Sequence, residues 1–183
     1  TTGASNTAVG STALDANTTA SNNTAVGYRA LSANTTAASN TAVGKDALLS
    51  NTTGTANTAV GLGALDANTT ASNNTALGYA AMLSNTTGTS NVAVGYAALD
   101  ANTTADNNTA VGTSSGTALT TGALSTFVGS NAGAAVTTSA NNTAIGAYAF
   151  DAGTGADNTA VGAGALGGAS NSAANNTAVG KDA

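Results

Sequence analysis

The side chains able to do chemistry are few and scattered. Among 183 residues there are eight Asp, the cations Arg29, Lys45 and Lys181, four Tyr, and no His, Cys or Glu. Acid–base and nucleophilic catalysis need a base placed beside a nucleophile, and nothing here supplies that pairing. Zinc sites of the usual kind have no thiolate or imidazole ligands. The chain therefore reads as a non-enzyme without cofactor or metal. Asp15, Asp66, Asp100 and Asp151 recur in one column but are separated by Ser32, Leu49, Leu83, Thr117 and Ala134. That interleaving keeps like charges apart and does not gather them around an ion. Gly162, Gly164 and Gly167 spell G-x-G-x-x-G, but without a strand-to-helix context or an acidic residue about 20 positions on, so the match is accidental. A formal charge of −5 argues against nucleic acid and anionic membranes, which need basic patches. No apolar run reaches the roughly 18 residues of a membrane-spanning helix.

What positions these residues is a repeat. The pentapeptide Asn-Thr-Ala-Val-Gly begins at Asn6 and recurs, with variations, at Asn23, Asn40, Asn57, Asn74, Asn91, Asn108, Ser125, Asn142, Asn158 and Asn176. The step is 17 residues eight times, then 16, then 18. A short period sustained over about 11 copies is the mark of a solenoid in which each repeat is one coil. Glycine and Asn in every repeat disfavour helix, and the β-branched alternation at Thr24 and Val26 favours strand. The predicted fold is all-β, a parallel β-solenoid of about 11 coils over residues 1–183. It forms one domain, read as a segment of a longer fibrous chain, with irregular repeats around 112–140 where Phe127 enters an Ala column and Leu119 and Val136 an Asn column.

Within a coil, the fourth residue of the pentapeptide is always aliphatic, from Val9 and Val26 to Val179, and is expected to point inward. A second inward column holds Leu14, Leu31, Leu48, Leu65, Met82, Leu99, Phe150 and Leu166, with Gly116 and Gly133 as exceptions. The Gly closing each pentapeptide marks a corner that needs positive φ or close backbone approach. The opposite corner carries Asn17, Asn34, Asn51, Asn68, Asn85 and Asn102, whose amides can pass hydrogen bonds from coil to coil. The same residues satisfy the Asn-x-Ser/Thr sequon and are candidate glycosylation sites. Tyr28, Tyr79 and Tyr96 follow the corner Gly and are candidate surface contacts. Arg29 and Asp46 share a column in adjacent coils and can pair.

Two further expectations depend on which way the alternation faces. Ala8, Ala25, Ala42, Ala59, Ala76, Ala93 and Ala110 alternate with the Val column and are expected outside, where a stripe kept small and apolar suggests a neighbouring chain packed along it. The other arrangement that alternation allows is an internal layer of the same coil. Regularly spaced Thr on a solenoid can also form an ice-binding array. With Thr24 on the face of a core Val26, and with Thr18 and Thr19 pointing apart, no flat Thr face is expected.

The stretch Asn22-Asn23-Thr24-Ala25-Val26-Gly27 resembles the head repeat of trimeric autotransporter adhesins, Asn-Ser-Val-Ala-Ile-Gly. Asn74 to Ala81 is also similar to repeats of phage tail fibres. The resemblance spans the chain, although the step is longer here and Thr24 stands where that family has Val, which only Val92 restores. It implies a left-handed parallel β-roll, a homotrimer of chains side by side, and an extracellular, cell-surface or virion-surface fibre that serves as spacer and binding surface for host protein or glycan. An ice-binding solenoid and a glycosylated, self-assembling extracellular filament or sheath are the alternative functions.

Overall fold

A computed structural model describes residues 2–168 and 172–183. Eleven three-residue strands follow one another: β1 (Thr7–Val9), β2 (Thr24–Val26), β3 (Thr41–Val43), β4 (Thr58–Val60), β5 (Thr75–Leu77), β6 (Val92–Val94), β7 (Thr109–Val111), β8 (Thr126–Val128), β9 (Thr143–Ile145), β10 (Thr159–Val161) and β11 (Thr177–Val179). They form one parallel sheet in chain order, and Thr24 of β2 lies level with Thr7 before it and Thr41 after it. No helix occurs among the described residues. The pentapeptide is thus the strand of each coil, and the predicted β-solenoid with its 17-residue step is what the chain forms.

The other sides of the coil are tied to their neighbours too, with Leu31 N–H donating to the Ala47 carbonyl at 3.0 Å and Thr18 N–H to the Thr35 carbonyl at 3.1 Å. The interior corrects one expectation. The Ala column faces in: Ala25, Ala42, Ala59, Ala76, Ala93 and Ala110 have no solvent exposure, and Ala8 is exposed only because it belongs to the first coil. The Val column faces out: Val60, Leu77, Val111 and Ile145 are 36–41% exposed, Val26, Val43, Val94, Val128 and Val161 are half-buried, and Val9 and Val179 are more open because they belong to the end coils. The reason is volume. The Leu column is inside as expected, and Leu31, Leu48, Leu65 and Leu99 are fully buried. It fills the narrow lumen together with two buried Asn per coil and a second Ala column (Ala30, Ala47, Ala64), leaving opposite the strand only room for a methyl group. Alternation then forces the larger aliphatic residue to the surface.

The Asn residues form two ladders. At the pentapeptide, each Asn side-chain oxygen accepts the backbone N–H of its successor, Asn57 N–H to Asn40 Oδ1 at 2.9 Å and Asn74 N–H to Asn57 Oδ1 at 3.0 Å. Ser125 keeps this ladder continuous, donating its N–H to Asn108 and accepting from Asn142 through Oγ. At the opposite corner, Asn68 Nδ2 donates to Asn51 Oδ1 at 2.9 Å and Asn85 Nδ2 to Asn68 Oδ1 at 3.0 Å. The ladders meet on one carbonyl per coil: Ala71 O accepts from Asn57 Nδ2 at 2.8 Å and from Asn68 Nδ2 at 3.1 Å, using both lone pairs. Asn57→Ala would orphan the buried Asn74 N–H and remove one donor from Ala71. We expect a loss of about 2–3 kcal/mol, measured by urea denaturation, whereas Thr53→Ala at the exposed corner should cost little.

Closing so tight a coil bends the backbone against local preference. Leu31, Leu48, Leu65 and Leu99 sit at φ between 51° and 54°, a left-handed conformation that costs a side-chain-bearing residue on the order of 1–2 kcal/mol. Core burial of the same Leu offsets it. In the irregular region, Gly116 and Gly133 escape that strain and leave two gaps, which the Phe127 ring fills. A Cβ on Gly116 would lie 2.7 Å, and one on Gly133 2.4 Å, from ring carbons of Phe127. The irregular repeats around 112–140 thus amount to a repacked interior, with the sheet register carried straight through. Leu119 and Val136 replace amides by buried apolar groups, so the corner ladder stops at Asn102, whose Oδ1 has no partner.

Candidate functional site

The strands put Thr and Val side by side on the outer face of the sheet. The Thr rank runs Thr7, Thr24, Thr41, Thr58, Thr75, Val92, Thr109, Thr126, Thr143, Thr159 and Thr177, and the aliphatic rank runs Val9 to Val179 with Leu77 and Ile145 as its variants. None of the eleven strands contains a charged residue. At a strand spacing of about 4.8 Å and a rise of about 3.3 Å per residue, the face measures roughly 50 Å by 10 Å.

The two sets of Thr behave differently. Corner Thr52, Thr69, Thr86 and Thr103 each donate a hydroxyl to a backbone carbonyl of the next coil, at 3.0–3.2 Å. Among the described residues no strand Thr hydroxyl makes a hydrogen bond within the chain. The corner rank is structural, and the strand rank is left open. This also removes one of the two grounds on which a flat Thr face was discounted, since Thr24 and Val26 share an outward face.

The remaining candidates fall as follows. The sequon Asn34, Asn51, Asn68, Asn85 and Asn102 are fully buried, and their Nδ2 atoms are committed to the corner ladder and the carbonyl beside it. A glycan needs that nitrogen exposed, so these positions are turn staples. Asn17, in the first coil, is half-buried and donates Nδ2 to Ala20 O. Tyr28, Tyr79 and Tyr96 are about half exposed, and Tyr79 and Tyr96 stack with centroids 5.3 Å apart and planes within 7°. With Leu62 they make a stripe beyond the corner Gly, bordering the aliphatic rank. Tyr148, equally exposed, lies one residue further along its coil. There it borders a cavity of about 270 Å³ with Asp151, Gly164, Gly167, Gly168 and Asp182.

No family model, curated protein or solved structure matches this chain.

Charge is concentrated beside the Tyr stripe. Asp46 accepts from Arg29 Nε at 2.9 Å and Lys45 Nζ at 2.8 Å, confirming the pairing expected from the Arg29 and Asp46 column. The Lys45 hydrogen bond, with the Arg29 charge behind it, holds the Asp46 carboxyl below its ordinary value. Burial, aided by the Asp46 charge, pushes Asp66 up. The signs are opposite. Asp46 contributes stability above its unfolded pKa of 3.8 that is lost as pH falls through its depressed folded value. Asp66 is a penalty at neutral pH, relieved as pH falls through its raised value towards 3.8. Asp46→Asn should therefore lower, and Asp66→Asn raise, the melting temperature at pH ~7, and both differences should vanish once the pH is well below the ordinary carboxylate range. Melting curves across pH check this. No group of three or more metal-ligating side chains occurs among the described residues, and Asp100 accepts from the interleaved Thr117 hydroxyl at 2.7 Å.

Proposed function

We propose that the chain is a rod-forming segment of an extracellular or virion-surface fibre. In this reading copies associate side by side through the Thr and Val face, three in number as the head-repeat resemblance implies, and the Tyr stripe remains on the outside as a contact surface. One observation carries the reading: an outward position free to vary would gather polar residues, yet this one is aliphatic in all eleven strands. A continuous exposed apolar stripe without charge marks a surface that meets another. The Ala column, being interior, no longer bears on association. The test is solution mass. The chain is expected to sediment as a small oligomer, and Val60→Lys with Val94→Lys to dissociate it while leaving the strand spectrum and the melting transition in place. A monomer at micromolar concentration would overturn the reading.

The open Thr hydroxyls favour one second reading, an ice-binding face. A flat, uncharged sheet that alternates hydroxyl and methyl ranks at a constant step suits a crystalline water lattice. Thermal hysteresis from a monomeric chain, abolished by Thr58→Tyr and Thr75→Tyr, would favour it over the fibre, whereas a self-associating chain without hysteresis excludes it.

A further inference from the structure

Sequons also occur away from the corner, at Asn22, Asn73, Asn107, Asn141 and Asn175, each followed two residues later by a strand Thr. We infer that Asn22, Asn73, Asn107 and Asn175 are acceptor sites for N-linked sugar on the folded chain. The inference does not depend on the association proposed above.

Their setting is the reverse of the corner's. All five residues are exposed, whereas Asn34, Asn51, Asn68, Asn85 and Asn102 are fully buried. Among the described residues, the side-chain amides of Asn22, Asn73, Asn107 and Asn175 make no hydrogen bond within the chain. Asn141 is engaged, donating Nδ2 to Asp157 Oδ1 at 2.9 Å. The Thr hydroxyl that completes each motif belongs to the strand rank and is open as well.

Backbone conformation does not account for these Asn. They stand at φ between 59° and 63°, a left-handed turn that Asn tolerates. Ser39, Ala56, Ser90, Leu124 and Asp157 hold the same place in other coils at φ between 57° and 62°, so the turn does not require an amide. A ladder does not account for them either. The corner Asn stand in consecutive coils from Asn17 to Asn102, because each needs a neighbour to bond. The exposed Asn never do. Successive members are 51, 34, 34 and 34 residues apart, which is at least two coils, or about 9.6 Å. That leaves room for bulky sugar chains side by side, which the ~4.8 Å between adjacent coils does not. The column stands two residues ahead of the Thr rank, on the side away from the aliphatic rank, so sugar would border the sheet face.

The transfer needs a nucleotide-activated sugar and an enzyme to deliver it. Asn Nδ2 bonds to the anomeric carbon, the bond from that carbon to the phosphate oxygen breaks, the nucleoside diphosphate leaves with the electron pair, and the amide gives up one proton. To test this, the folded chain is incubated with a soluble N-glucosyltransferase and UDP-glucose, and the sugar is located by peptide mass mapping. Hexose is expected on Asn22, Asn73, Asn107 and Asn175, and not on the buried corner Asn. Asn141 should lag severalfold, because its amide must first leave Asp157, and Asp157→Ala should bring it level. Peptides cut from the same chain, in which burial is gone, are expected to accept hexose at both sets. A folded chain that takes no hexose at the four exposed sites, or takes it as readily at Asn51 and Asn68, would overturn the inference.

Discussion

Gly61→Ala is expected to destabilise the chain by more than about 4 kcal/mol, among the largest effects a single methyl can have. The corner Gly of each coil lies at φ between 132° and 140°, a region that residues with a Cβ rarely enter. Strain is only part of the cost. A Cβ on Gly61 would lie 2.2 Å from the carbonyl oxygen and 2.6 Å from the carbonyl carbon of Gly78, the corner of the next coil. Neither atom belongs to a side chain that can turn away, so relief requires the coils to part. Parting them loosens the sheet bonds on one side of the corner, such as Gly78 N–H to Val60 O at 2.8 Å. Urea denaturation of the variant, beside Leu62→Ala on the exposed surface, measures the effect. A loss under about 1 kcal/mol would mean that the corners can separate without disturbing the strands.

Ala59→Lys and Val60→Lys should part company, although the residues are neighbours. Ala59 is fully buried among the Leu column and the Asn ladders, and an ammonium placed there has no carboxylate within the lumen to pair with. Its desolvation costs several kcal/mol, and the long side chain has no space. We expect the strand spectrum of Ala59→Lys to collapse under conditions in which Val60→Lys melts within a few degrees of the parent. Equal stability of the two variants would mean that the faces of the strand are interchangeable.

That pair also shows where the sequence was readable. The 17-residue step, the strand at the pentapeptide, the corner Gly, the Leu column and the Arg29 and Asp46 pair follow from spacing, because every coil repeats the same geometry. The phase of the alternation does not follow. A three-residue strand has two faces, and the rule that the larger aliphatic residue goes inside presumes a lumen with room for it. Leu48 and the amides of Asn51 and Asn57 had already used that room, so Ala42 and Ala59 took the inner face, and the prediction of an Ala stripe between chains reversed with it. The corner ladder was legible from Asn34 and Asn51. The second ladder, at Asn40 and Asn57, was hidden because those residues looked like part of the strand, although an Asn invariant in all but one repeat was its signal. Phe127 was visible as an intruder, but its fit into the space left by Gly116 and Gly133 required knowing that those columns share one interior.

Each strand touches only the strand before it and the strand after it, and this determines how the rod carries load. Tension applied at one end of the chain would not be shared among coils. It would concentrate on the hydrogen bonds of the outermost turn until they yield, and then pass to the next. Each turn that peels away releases about 17 residues at roughly 3.3–3.6 Å apiece, close to 6 nm of thread. Stretched in a force spectrometer, the molecule should pay out in a train of near-equal steps, with a stronger event at the turns that Phe127 joins. Such a rod is stiff until it fails, and then yields gradually, dissipating the energy of a pull instead of snapping.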